Sequence, residues 1–436
     1  MADVQALATA DRSPASPHHP PDAGRAPAGT GTVVAYVLAF FALYIAVLTP
    51  VVSTLALKVD ALSTPETRAA NLAVVTGVGA FFAFVANPVA GALSDRTTSR
   101  LGMRRPWLLW GVLLGAVGLL LIAFAPSIWV VVIGWAVTQA AMNGTQAALQ
   151  ALLPDQVAES QRARVSSLLG MAQQLAPLVG IALAFGFTAA GANEIWIFVV
   201  PTLLAVVGVL ALVAVLKDRR LDPADVAPFH LGAFLKGFWV SPRRHPDFAW
   251  TFLGRFLMLF GFALYNTYQL YFLIDRFGFD DATALSWQLR LMVVQAAVMV
   301  VASLIGGVLS DRTGRRKIFV VVATLLAGAG LLTFALVQGP GMLYLGALLF
   351  GAGLGAYFAV DLALVTDVLP NAETEAAKNM GVFNIANALP QSVAPALAPV
   401  FLAVGAGGNN YTALFAVSAV VVALGAVATL FIRGAR

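Results

Sequence analysis

The chain of 436 residues is 60% hydrophobic and 11% charged, with a mean hydropathy of +0.85. A soluble domain carries about 25% charged residues, so this composition excludes a water-soluble fold and points to the bilayer. There is no cysteine, which excludes disulfides, thiolate metal sites and cysteine nucleophiles.

Residues 1–32 are rich in Pro, Ala and Gly without periodicity and read as a disordered tail. No charged region, apolar run and cleavage site precede the first span, so no removable signal peptide is expected. A helix that crosses a membrane needs about 20 mostly apolar residues. On that measure spans fall at 33–57, 70–93, 106–125, 128–152, 164–190 and 194–216, and again at 248–274, 284–309, 317–337, 341–368, 379–403 and 410–432. The fold class is therefore all-α integral membrane, with twelve transmembrane helices. A six-helix bundle occupies 33–216, a cytoplasmic linker 217–247 and a second six-helix bundle 248–432. Within the linker, Phe229, Phe234, Phe238 and Trp239 suit a short amphipathic helix on the membrane surface.

The net charge of +5 reports topology. With both termini on the cytoplasmic side, 21 of the 26 Lys and Arg residues fall in cytoplasmic segments. Only Lys58, Arg68 and Arg276 fall in the opposite loops, while Arg255 and Arg290 lie inside spans. Basic residues are retained on the cytoplasmic side, and the basic clusters lack interleaved aromatics, so nucleic acid is not the partner. His18, His19, His230 and His245 all lie outside the apolar runs, and no histidine metal site is expected. Neither a nucleophile–base pairing nor a phosphate-binding glycine loop stands out, so the chain reads as a non-enzyme.

Two arginine-rich hinges separate apolar runs. The first is Gly91-Ala-Leu-Ser-Asp95-Arg96-Thr-Thr-Ser-Arg100-Leu-Gly102-Met-Arg104-Arg105-Pro106-Trp107. The second is Gly306-Gly-Val-Leu-Ser-Asp311-Arg312-Thr-Gly314-Arg315-Arg316-Lys317. Asp95 and Asp311 stand 216 positions apart, and so do Pro154 and Pro370 of Leu153-Pro154-Asp155 and Leu369-Pro370-Asn371. Two landmarks at one offset indicate an internal duplication.

The second hinge, Asp-Arg-x-Gly-Arg-Arg-Lys between the second and third spans of a half, resembles the major facilitator superfamily. The longer first hinge, with Leu48-Thr49-Pro50-Val51 and Asn87-Pro88-Val89-Ala90-Gly91, is similar to the glycoside-pentoside-hexuronide:cation symporters, sucrose transporters among them. Met103 departs from that pattern, which usually has a basic residue there. The membrane-embedded acidic and arginine residues that such symporters carry in their first half find no clear match, which puts their coupling mechanism in doubt here. The resemblance implies that the hinges latch one conformation through Asp95, Arg96, Arg104 and Arg105 and through Asp311, Arg312, Arg315 and Arg316. Gly91, lacking a side chain, would let two helices approach. The plainer alternative is that these arginines only enforce topology.

Gln139, Asn143, Gln146 and Gln150 recur at spacings of 4, 3 and 4 along one face of the fourth span. Amides in a bilayer need partners or water. They offer donors and acceptors that suit the hydroxyls of a polyol, or they bind neighbouring helices together. The seventh span carries Tyr265, Asn266, Tyr268, Gln269 and Tyr271, which read either as a sugar site or as an interfacial tyrosine belt. Asn384, Asn387 and Gln391 form a further stripe in the eleventh span, where Pro390, Pro395 and Pro399 are expected to introduce kinks. Asp361 and Arg255 lie at similar depth from the same side, and are expected either to pair permanently or to couple proton binding to transport.

These readings converge on a secondary transporter, a proton-coupled importer of a sugar or glycoside. The alternative is a proton-driven exporter of small amphipathic compounds. The expected partners are a small solute and the lipid bilayer. The proton gradient replaces any cofactor, and a monomer suffices because one chain holds both halves. The expected location is the cell's cytoplasmic membrane.

Overall fold

The computed structural model describes residues 28–222, 232, 240–370, 372–405 and 409–434. Most of the expected tail and the linker aromatics Phe229, Phe234, Phe238 and Trp239 lie outside these residues. Twelve described helices are long and apolar enough to cross a membrane. They are α1 (Thr30–Ala61), α2 (Arg68–Ser94), α3 (Arg105–Ala123), α4 (Ile128–Gln156), α5 (Glu159–Ala189) and α6 (Trp196–Val215), followed by α7 (Pro246–Phe277), α8 (Asp281–Thr313), α9 (Arg316–Ala335), α10 (Met342–Asp367), α11 (Ala372–Leu402) and α12 (Tyr411–Leu430). Each expected span falls within a few residues of one helix. Pro390, Pro395 and Pro399 all lie inside α11.

The duplication is visible in the packing. In the first half α1 packs on α5 and α6, α2 on α4, and α3 on α4 and α6. The second half repeats this, with α7 on α11 and α12, α8 on α10, and α9 on α10 and α12. The halves meet where α2 packs on α11, α5 on α8, and α1 on α7. Both hinges and both described chain ends lie on one side of the bundle, here the hinge face. The α1–α2 and α7–α8 turns lie on the far face.

Proline and glycine set the local exceptions. Pro50 lacks an N–H and its ring crowds the preceding turn. Helix α1 absorbs this with a π-helical segment at Pro50–Thr54, closed by a bond from Leu55 N to Pro50 O. Gly102 adopts φ +108° in the first hinge, and a Cβ there would overlap the Asp218 carboxylate. At Gly91 the packing of α2 on α4 leaves room for a methyl group. A Cβ on Gly91 would stand 3.9 Å from the nearest atom, Ala147 Cβ, which is ordinary contact. The tight crossings lie elsewhere. A Cβ on Gly355 would sit 2.2 Å from Met299 O, so α10 and α8 touch there backbone to backbone.

Gly355→Ala should therefore act as an overpacking substitution, costing about 1–3 kcal/mol. Gly170→Ala, with nothing within 4 Å, should be neutral or slightly stabilising through helix propensity. Thermal unfolding of the two variants in one detergent checks the ranking, and equal midpoints would refute the packing argument.

Candidate functional site

Polar groups gather at three levels. At the hinge face, Arg104 stands just before the N-terminus of α3 with its side chain only 5% exposed. Its Nη2 pairs with Asp95 Oδ1 at 2.6 Å and its Nε with Asp155 Oδ2 at 2.8 Å. Its Nη1 donates to Ser94 Oγ at 2.8 Å, so the guanidinium binds three groups of its own half. The Asp218 carboxylate accepts the backbone N–H groups of Arg104 and Arg105 at 2.7 and 2.8 Å. An anion thus sits at the α3 N-terminus, where the helix dipole favours it. Met103, in place of the basic residue of the resembled pattern, is buried, and its N–H donates to Arg219 O at 2.9 Å.

The second hinge is built more loosely. Arg316 Nη1 pairs with Asp367 Oδ1 at 2.6 Å. Asp311, Arg312 and Arg315 are exposed, and among the described residues their side chains form no ion pair. Arg96, just past the end of α2, donates back to Ala92 O of that helix. Of the expected latch residues, the structure joins Asp95 to Arg104. One contact recurs in both halves: Arg105 donates to Leu216 O, and Lys317 Nζ to Ile432 O at 2.7 Å. Each places a cation at the C-terminal end of the sixth helix of its half.

Midway through the bundle, Arg255 of α7 pairs with Asp361 of α10, a residue 1% exposed. Arg255 Nε donates to Asn387 Oδ1 of α11 at 2.6 Å, and its guanidinium lies 4.7 Å from the Phe383 ring centre. Asn387 Nδ2 reaches Asn384 Oδ1 at 3.2 Å, while Gln391 Nε2 bonds Asn387 O at 3.4 Å. The pairing of Asp361 with Arg255 and the stripe beside it thus form one cluster. In the first half, Asn143 Nδ2 bonds Gln139 Oε1 at 3.2 Å, and Gln146 Nε2 donates to Tyr44 Oη at 2.7 Å. Gln150 is exposed, and Asn266 is half-buried.

The seventh-span tyrosines correct the sequence reading. They form no interfacial belt: Tyr265, Tyr268 and Tyr271 are fully buried. Tyr268 Oη donates to Ala69 O at 3.2 Å and Tyr271 Oη to Ala56 O at 2.8 Å, both across to the first half. Gln269 bonds Tyr265 Oη and Gln288, and Gln288 Nε2 donates to Val52 O of the π-helical segment at 3.0 Å. Gln269 is packed at the junction of the halves.

At the far face lies a cluster that the sequence reading missed. Arg68, buried at the start of α2, pairs with Asp60 of α1 at 2.6 Å and also with Asp275 of α7. Its guanidinium stands 5.0 Å from the Tyr271 ring centre. Tyr411 Oη of α12 donates to Asp275 Oδ2 at 2.6 Å. Asp60 and Arg68 flank one short turn, which a sequence can suggest. Asp275 lies 207 positions away, and no local signal links it. The described cross-half bonds all lie between mid-bundle and the far face, where this arginine bridges the halves.

This geometry defines a two-repeat, twelve-helix membrane protein whose halves are pinned on one side. The chain belongs to the Major Facilitator Superfamily, which matches residues 30–289 and again 280–436. A general alpha-glucoside permease of Schizosaccharomyces pombe is 27% identical over 160 residues, 32% of this chain and 29% of the permease. The inner membrane metabolite transport protein YhjE of Escherichia coli K12 is 30% identical over 163 residues, 34% of this chain and 35% of YhjE. The matched segment thus spans about a third of each relative. Among solved structures, the nucleoside transporter NupG (D323A mutant) superposes with a TM-score of 0.73 at 12% identity, over 92% of this chain and 99% of that one. A bacterial homologue of the human lysosomal transporter Spinster, inward-facing and occupied, gives 0.69 at 14% identity, over 94% and 97%.

The two carboxylates on Arg104 should behave differently. Asp95 is 59% exposed and Asp155 18%. An exposed pair is worth about 0–1 kcal/mol, whereas a withdrawn guanidinium that loses a buried partner costs more. Asp95→Asn is expected to reach the membrane with near-native stability and reduced transport, and Asp155→Asn to lose stability first. Melting midpoints and transport assays on both variants test this, and the reverse order would exclude it.

Proposed function

We propose that this protein is a secondary transporter that works by alternating access and imports a sugar or glycoside together with a proton. The observation that carries the reading is the Arg255–Asp361–Asn387 cluster. A carboxylate in the middle of the bundle, tied to an arginine and bordered by amides on α11, joins a protonatable group to hydrogen-bonding groups suited to a polyol. Protonation of Asp361 would free Arg255 and Asn387 to meet solute hydroxyls. Gln146 with Tyr44, and the Gln139–Asn143 pair, would supply the first half's side of the solute site. The partial similarity to an alpha-glucoside permease supports the solute class. The similarity of the first hinge to the glycoside-pentoside-hexuronide symporters supports it too.

The bonds across the halves support alternating access. They pin the far face, while the hinge-face ion pairs of Arg104 and Arg316 close within their own halves, an arrangement open toward the hinge face. The charge bias of 21 against 3 supports a cytoplasmic hinge face in a cytoplasmic membrane. The alternative is a proton-driven exporter of amphipathic compounds. It is favoured by the burial of Gln269 and the tyrosines in helix packing, which removes them from a polyol site.

Uptake of radiolabelled sucrose, maltose and melibiose into energised vesicles tests the reading. Saturable uptake of one sugar, abolished by a protonophore, is expected. Asp361→Asn should lose the dependence of uptake on external pH. Dye accumulation that rises when the protein is inactivated, with no sugar uptake, would establish the exporter instead.

Alternating access has its own test. A Cβ on Gly77 would stand 3.7 Å from Ala396 Cβ across the halves, a separation that suits a disulfide. The chain has no cysteine of its own, so Gly77→Cys with Ala396→Cys gives a cross-link without background. Oxidation should block transport and reduction restore it. Unimpeded transport by the cross-linked protein would mean that this face does not open.

A further inference from the structure

Helix α8 runs for 33 residues, about 50 Å at 1.5 Å per residue, against a hydrocarbon core of about 30 Å. A centred helix therefore overhangs by about 10 Å at each end. Arg290 lies nine positions past Asp281, about 13 Å along the helix, so its backbone sits just inside the hydrocarbon edge and its side chain reaches the headgroup level. The residue is exposed. It shares its face of α8 with Val293, Val300, Val301 and Leu304, all exposed, which continue the face along the helix as an apolar stripe. The opposite face carries Gln288, Gln295 and Met299, packed on the rest of the protein.

No carboxylate answers Arg290 among the described residues. Asp281 is about two and a half helical turns away and on the opposite side of α8, near Asp60 and Arg68. Asp280 is engaged as the α8 N-cap by Thr283 N at 2.9 Å, and hydrogen bonding from Thr283 holds its carboxyl below the usual range. The Arg290 guanidinium instead lies 5.5 Å from the Trp287 ring centre. Trp287 is stacked at 10° on Phe279, which is stacked at 20° on Phe277, and it also meets Tyr344 of α10 at 5.5 Å. Aromatic belts of this kind lie at headgroup level. They hold the guanidinium plane in place while its N–H donors stay free.

We propose that Arg290 and Trp287 form a binding site for an anionic phospholipid of the far-face leaflet. The lipid phosphate accepts from the guanidinium, and an acyl chain lies along Val293, Val300 and Leu304. A free planar fork of donors suits a phosphate, and a lipid supplies the apolar chains that the stripe below requires.

Native mass spectrometry of the detergent-purified protein, given equal amounts of phosphatidylglycerol and phosphatidylcholine, tests the site. The wild type should retain phosphatidylglycerol preferentially. Arg290→Gln should reduce that retention about fivefold, the effect of removing one basic group near a charged surface, and Arg290→Lys should keep most of it. Arg276→Gln, at the same face but engaged with Val337 O, should leave retention unchanged. Should Arg290→Gln fail to accumulate, Trp287→Leu removes the plane on which the guanidinium rests and should lower retention in the same direction. Equal retention of the two lipids by the wild type, or an undiminished preference in Arg290→Gln, would overturn the proposal. The readout is independent of transport, so it stands or falls separately from the solute assignment.

Discussion

Three guanidinium groups withdrawn from water set the terms for this fold. A charge that leaves water needs a partner with good geometry, because desolvation otherwise outweighs any gain from packing. Arg104, Arg255 and Arg68 lie at three successive depths, and each is tied to at least one carboxylate. Where those carboxylates sit determines what each arginine holds together. Both partners of Arg104 belong to its own half, as does the partner of Arg255. Arg68 alone divides its pairing between the halves, with Asp60 on one side and Asp275 on the other. Burial of the same chemical group thus braces a hinge, crosslinks the middle of a bundle and joins two bundles.

The duplication shows which contacts the two halves share. The packing of helix on helix recurs, and so does the cation at the C-terminal end of the sixth helix, as Arg105 on Leu216 O and Lys317 on Ile432 O. These contacts hold a six-helix unit together whatever its neighbours do. The arginine networks do not recur. The first hinge encloses Arg104 between Asp95 and Asp155. The second leaves Arg312 and Arg315 in the open. An exposed arginine costs little and constrains little, so the second hinge is free to take new partners where the first is already satisfied.

The helices were legible in the sequence because the bilayer makes their length and composition obligatory. Internal register was legible as well: the matched depths of Asp361 and Arg255 placed them in contact across 106 positions. What escaped was pairing between elements whose order along the chain says nothing of proximity. Arg68 reads as a loop residue, and only the docking of α7 against α1 and α2 brings Asp275 to it. The tyrosines of α7 misled for the opposite reason. Tyr near a span end normally marks the interface, but here the second half turns that face toward the first, and backbone carbonyls of α1 and α2 accept the hydroxyls. The π-helical segment left a signal in Pro50, yet a proline predicts only a disturbance. The structure adds that Gln288 and Tyr271 bond the carbonyls of Val52 and Ala56, within and just after that segment.

Coupling between two sites requires an element with two arrangements that both sites bias, and α11 is placed to serve. Asn387 bonds Arg255 on the hinge side of mid-bundle. Nine positions further along the same helix, Ala396 lies against Gly77 of the other half, where a Cβ would make ordinary van der Waals contact at 3.7 Å. Pro390 and Pro395 fall between them, and each removes a backbone donor from the ladder that would keep the helix straight. On the proposed mechanism, a change in the charge on Asp361 alters the hold of Arg255 on Asn387. The interrupted helix carries that change about 13 Å toward the face where the halves meet. On the same mechanism Arg68 would keep Asp60 when Asp275 departs, so that face would separate without stranding the buried guanidinium. On that mechanism the far-face arginine with its two carboxylates would make opening reversible, and the mid-bundle arginine with its single carboxylate would make it responsive.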